Sequence, residues 1–159
     1  MITIADLLQI LEQSSLAESI RQSSWLYPFL EIIHITGIVL LVGPAFMFDL
    51  RLLGFSKHLS VSGLKRHLLT WSMRGLFLVL PSGILLFMTN ALVLGYDPVF
   101  WLKMTLLLIA AFNALIFHRV IFRSLHDDDT VQPPAAKLVA AFSIVLWIAI
   151  IACGRLLAY

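Results

Sequence analysis

One cysteine, Cys153, stands in 159 residues. An internal disulfide needs two, and cysteine-rich metal sites need more, so both are excluded. Charge is almost as scarce. Asp, Glu, Lys and Arg make up only 13% of the chain, about half the share usual in soluble domains. The net charge is +2 and no basic run exceeds Lys65-Arg66, so a nucleic-acid-binding surface is excluded. Residues 1–22 carry Asp6, Glu12 and Glu18 and lack a basic segment leading into an apolar core. No cleavable secretory signal is therefore expected, and the first apolar segment is expected to act as its own insertion signal. No internal repeat is visible. The one low-complexity run, Asp127-Asp128-Asp129, reads as a solvated loop.

Apolar residues fill the space that charge leaves. They form 60% of the chain, with a mean hydropathy of +0.97, and gather into long runs. Runs of 18 or more apolar residues mark membrane-spanning helices. Four are expected, over about 26–50, 75–94, 99–122 and 136–157, each long enough to cross ~30 Å of hydrocarbon at about 1.5 Å per residue. The expected fold is all-α: a single integral-membrane four-helix bundle preceded by a short amphipathic interfacial helix. That first helix covers residues 3–13. Thr3 is placed to cap it with Asp6 three positions on, and Ile4, Leu7, Leu8 and Leu11 share a face. A short turn follows over Leu16–Gln22. Ser23 or Ser24 can then cap the first span, and Trp25 and Tyr27 suit the headgroup level. Pro28 fits the first turn of that span, while Gly43-Pro44 and Pro81 with Gly83 are expected to bend spans one and two. The stretch 51–74 reads as a polar connection and "GYDP", Gly95–Pro98, as a tight turn.

Orientation follows from Lys and Arg. The loops after spans one and three hold Arg51, Lys57, Lys65, Arg66, Arg74, Arg119, Arg123 and Lys137, against Arg21, Lys103 and Arg155 on the other side. The positive-inside rule then places both termini in the periplasm of a bacterial inner membrane.

Ionisable residues inside such spans call for an explanation, because a charge at mid-bilayer costs at least ~2.5 kcal/mol. Glu31 and His34 lie three apart on one helix face. Lys103 and Arg155 sit near the outer ends of spans three and four, at a depth similar to Glu31. Glu31 then either pairs with Arg155 or Lys103, or acts on a substrate or cofactor. His34 is either a ligand or proton relay, or a hydrogen-bonded packing residue. Span three adds Asn113 and His118, only roughly co-facial. His58, His67 and His126 read as solvated.

Three uses of these residues can be weighed. A di-iron site needs a second Glu-x-x-His motif and two further carboxylates, which are missing. Copper can be held by His34 with Met88 or Met104, since thioethers bind Cu(I). A b-type haem needs one or two core histidines, small residues for room and cations for its propionates. The sequence offers His34 and His118, Gly37, Gly43 and Gly83, and Lys103 or Arg155. His34 lies in the outer half and His118 in the inner half, on the order of 10–15 Å apart along the normal at 1.5 Å per residue. Two separate sites, or one histidine with another partner, are therefore alternatives to a shared haem.

The segments "SSWLYPFLEIIHITGIVLLVG", "DLRLLG" (Asp49–Gly54), "FNALIFHR" (Phe112–Arg119) and "GRLLAY" (Gly154–Tyr159) together resemble a family of small bacterial four-helix membrane proteins of unknown function. The likeness covers nearly the whole chain. More distantly, the four spans are similar to the membrane cytochrome b and copper-resistance D group. That resemblance implies haem b on helix histidines, or copper handling. Span four carries no histidine, so a two-haem set of four intramembrane histidines is missing.

The first expectation is thus a small b-type haem protein that moves electrons, with quinone or a redox protein as partner. His34 would be the axial ligand and His118 the second candidate. Lys103 and Arg155 would face the propionates, and Glu31 would orient a ligand or carry a proton. A copper-handling or small-solute membrane protein is the alternative. A third reading is an accessory membrane protein without cofactor, and a second copy of the chain is a further candidate partner.

Overall fold

The computed structural model describes residues 3–56, 61–117, 119 and 133–157. Every regular element among them is helical. In chain order these are α1 (Ile4–Glu12), α2 (Ser15–Gln22), α3 (Leu26–Leu53), α4 (Val61–Thr89), α5 (Ala91–Tyr96), α6 (Pro98–Ile116) and α7 (Pro134–Leu156). Four stretches are long and apolar enough to cross a membrane: Leu26–Leu53, Thr70–Thr89, Pro98–Ile116 and Pro134–Leu156.

The chain forms two compact units. The first takes residues 1–41 and 73–98, the second residues 42–72 and 99–159.

The first unit begins with the capping box expected from Thr3 and Asp6. The Asp6 amide donates to Thr3 Oγ1 at 3.2 Å, and the Thr3 amide donates to Asp6 Oδ2 at 2.8 Å. Ser14 caps α2 by accepting from the Ala17 amide, and Ser23 Oγ accepts from the Leu26 amide at the start of α3. Helix α1 lies on α5. Leu8 fits against Gly95 so closely that a Cβ there would meet Leu8 Cδ1 at 2.6 Å. Ile4, Leu7, Ile10 and Leu11 face outward.

The second apolar run differs from the sequence expectation. It extends from Val61 as one helix, through the stretch read as a polar connection, and stops at Thr89 rather than at 94. Asn90 leaves helical geometry at φ −140°, ψ 41°, and the next six residues form α5. The amino-terminal helices hold this break. Arg21 Nη1 donates to the Thr89 carbonyl at 3.1 Å, and Glu12 Oε2 accepts from the Leu92 amide at 2.7 Å. A cation thus meets the carbonyl end of α4 and a carboxylate meets the amide end of α5, each the sign that the helix dipole favours. Gly95 and Tyr96 belong to α5, so the turn read over Gly95–Pro98 shrinks to Asp97, and Pro98 opens α6, where proline costs no hydrogen bond.

Helices α3 and α4 of this unit touch backbone to backbone. A Cβ on Gly75 would lie 2.4 Å from the Leu41 nitrogen and 2.7 Å from the Gly37 oxygen, and one on Gly37 would lie 2.8 Å from Val79 Cγ2. Only glycine permits this approach.

In the second unit α3 runs on past the Leu50 boundary and ends in a Schellman motif. The Phe55 amide donates to the Leu50 carbonyl, the Gly54 amide donates to the Arg51 carbonyl, and Gly54 has φ 107°. Ala110, Leu146 and Ile150 form the packed core of α6 and α7, with Leu106, Leu107 and Trp147 against it. Phe48 meets Phe117 edge to face at 5.5 Å. The long helices turn large apolar side chains such as Phe29, Ile32, Phe77, Phe112 and Val145 outward, while Asp49, Arg51, Ser82 and Thr89 are buried.

Candidate functional site

His34 is the best-defined polar group among the expected site residues. It sits on α3 one turn before Gly37, so the glycine-permitted contact brings α4 up to the imidazole. His34 Nδ1 lies 3.0 Å from Ser82 Oγ. Ser82 is 3% exposed and turns its hydroxyl back onto the Leu78 carbonyl. A hydroxyl has one proton, and this one is directed at Leu78. With that proton on Leu78, Ser82 Oγ is left to accept from His34, an arrangement that would put the ring proton on Nδ1 and the lone pair on Nε2. Gly83 gives the ring its place: a Cβ there would stand 3.0 Å from His34 Cε1 and 3.5 Å from Nδ1.

Glu31 is exposed, one turn before His34 on the same helix. Lys103 and Arg155 belong to the second unit. Lys103 is half-buried, and its Nζ would lie 3.8 Å from a Cβ on Gly154, beside the buried Cys153. Arg155, one residue further, is exposed. Within the first unit Glu31 stands one turn from His34 on α3, and within the second Lys103 of α6 reaches Gly154 of α7. Asn113 Nδ2 donates to the Val139 carbonyl at 3.5 Å, joining α6 to α7. His67 is exposed on α4. His118, His58 and His126 lie outside the described residues.

Two residues that hold the imidazole, Ser82 and Gly83, carry no ionisable group, so a search for charge passes over Ser82. The signal was "PSG" (Pro81–Gly83), small residues inside an apolar run, which mark close helix approach. Among the described residues no group of three or more His, Cys, Asp or Glu is placed to hold a metal ion.

This all-helical chain with four long apolar helices belongs to a family. Residues 16–159 match DUF6644, a family of unknown function, and the chain is a member of it. No curated protein and no solved structure matches the chain.

Proposed function

We propose that this is a small multi-pass protein of the bacterial inner membrane that holds a b-type haem through His34 Nε2 and takes part in electron transfer. The observation that carries the reading is the clamp on Nδ1. A histidine that ligates a metal donates its other ring nitrogen to a fixed partner, which sets the tautomer and aims the lone pair. Ser82, itself anchored on Leu78, does this for His34. Haem brings four nitrogens of its own and asks the protein for one or two axial ligands. It therefore suits a lone, oriented imidazole better than a copper site does, which needs several protein ligands converging. The membrane reading is supported by the four long apolar helices and their outward apolar side chains. Inner-membrane placement with both termini outside rests on the Lys and Arg count.

When bound, the haem would supply reversible one-electron chemistry. The chain's own residues would do the rest: Ser82 orients the imidazole, Gly83 leaves room for it, and Glu31 offers a carboxylate one turn away. The sequence offers His118 as a candidate second ligand, Lys103 and Arg155 as candidate cations for propionates, and quinone or a redox protein as candidate electron partner.

The test is an absorption spectrum of protein purified after expression with ample haem supply. A Soret band is expected in wild type and absent from His34→Ala. Folded wild-type protein from cells with ample haem that lacks that band overturns the reading.

A second reading has its own observation. The Gly37–Gly75 contact and the His34–Ser82 bond together lock α3 to α4, which is what a cofactor-free accessory membrane protein would need from the same residues. On that reading His34→Gln keeps full function and stability.

A further inference from the structure

Helix α1 carries two faces that the haem reading leaves unused. One is fastened to protein. Leu8 fits against Gly95 and Glu12 Oε2 accepts from the Leu92 amide, so both side chains point at α5. Arg21 of α2 holds the Thr89 carbonyl. These contacts straddle the break at Asn90, where the apolar stretch Thr70–Thr89 ends. The other face is bare. Ile4, Leu7, Ile10 and Leu11 are exposed and fall within an arc of about 120° at 100° per residue. Asp6 and Gln9 fill the arc that remains.

We propose that α1 is a lipid-seated latch. Ile4, Leu7, Ile10 and Leu11 dock on the acyl chains of the bilayer surface at the end of α4, and through Leu8 and Glu12 that docking holds the break between α4 and α5. The latch rests on the membrane reading and needs no haem.

The position and chemistry of the face favour lipid. The hairpin is fastened at the end of an apolar stretch long enough to cross a membrane, where hydrocarbon gives way to headgroups. Trp25 and Tyr96, the amphipathic rings suited to that level, are both exposed in the same unit. Four side chains on a nine-residue helix fall far short of the roughly 20–30 residues a side that a stable protein interface uses. The two helices carry Asp6, Glu12 and Glu18 against Arg21 alone, and Arg21 is engaged with Thr89. Attraction to anionic headgroups therefore contributes little, and seating depends on apolar burial, which salt does not screen.

The experiment places nitroxide labels on the full chain in phosphatidylcholine bilayers, in a Cys153→Ala background, at Ile10→Cys, Gln9→Cys and Phe77→Cys. Phe77 is an outward residue of α4. Dissolved oxygen should relax the labels at 10 and 77, and a water-soluble nickel chelate the label at 9, at low and high salt alike. A label at 10 that the chelate reaches overturns the proposal, as does one shielded from both reagents, the sign of a protein cover. So does a pattern that salt reverses. The label at 77 separates the two readings: in lipid it leaves the membrane reading standing when the latch fails, and in water it removes both. Amide exchange at Leu92–Leu94 tests the link to the break. It should rise roughly tenfold or more in Leu7→Ser with Ile10→Ser, since each serine gives up apolar burial of that order, and stay unchanged in Gln9→Ser. Equal exchange in the double variant and wild type overturns the link.

Discussion

At the scale of single residues, most of the chemistry turns on one hydroxyl. Ser82 spends its proton on Leu78 and its lone pair on His34. Ser82→Ala leaves the imidazole N–H without its acceptor, an expected loss of about 1–3 kcal/mol, read by denaturant unfolding in detergent. If His34 binds haem, the same substitution should also shift the Soret maximum and the midpoint potential, because ligand basicity depends on that bond. A packing role predicts the stability loss alone. Gly83→Ala acts through space instead: the new methyl meets the ring at 3.0 Å, so the imidazole must turn by a few tenths of an ångström. The expected result is a weakened Soret band in a protein that still folds.

At the scale of elements, glycines and caps decide where helices meet and stop. Gly75→Ala places a methyl 2.4 Å from the Leu41 nitrogen. Backbone cannot rotate aside as a side chain can, so α3 and α4 must part. Overpacking of this kind costs typically about 1–3 kcal/mol, and the melting temperature of the purified protein should fall accordingly. Helix α1 gives a pH prediction. The Thr3 amide and then the Thr3 hydroxyl hold the Asp6 carboxyl below its ordinary value of 3.8. A lowered folded-state value means that the cap's contribution is fully present above 3.8 and is lost as pH falls through the folded value. Amide exchange in the first turn of α1 should therefore rise, relative to intrinsic rates, only under strongly acid conditions, and Asp6→Asn should show that faster exchange at neutral pH.

At the scale of the whole molecule, the distribution of apolar surface and the basic residues carry the expectation. Phe29, Ile32, Phe77, Phe112 and Val145 face outward on the long helices, an arrangement that water would penalise and lipid would not. Reporter fusions in segments 57–60 and 123–132 should report cytoplasm, and fusions at either terminus should report periplasm. A periplasmic signal from either internal segment would reverse the orientation.

Helix class, the four apolar stretches, the Thr3–Asp6 cap and the pairing of Glu31 with His34 on one face were all legible in the chain. Each depends on residues within about four positions of one another, where spacing alone sets geometry. The break at Asn90 was not legible, because Ala91–Leu94 continues the apolar run and the groups that hold the break come from Glu12 and Arg21, far away in sequence. The same holds for His34. Its sequence position made it a candidate, but its tautomer depends on Ser82, 48 residues on. Asp49 could be read as one letter of "DLRLLG", and only folding buried it with Oδ2 lacking a hydrogen-bond partner among the described residues. Periodicity and composition determine which segments are helical and apolar. Which polar atoms meet is decided by how closely the helices approach, and here glycines at 37, 75 and 83 set that approach by having no side chain to hold the backbones apart.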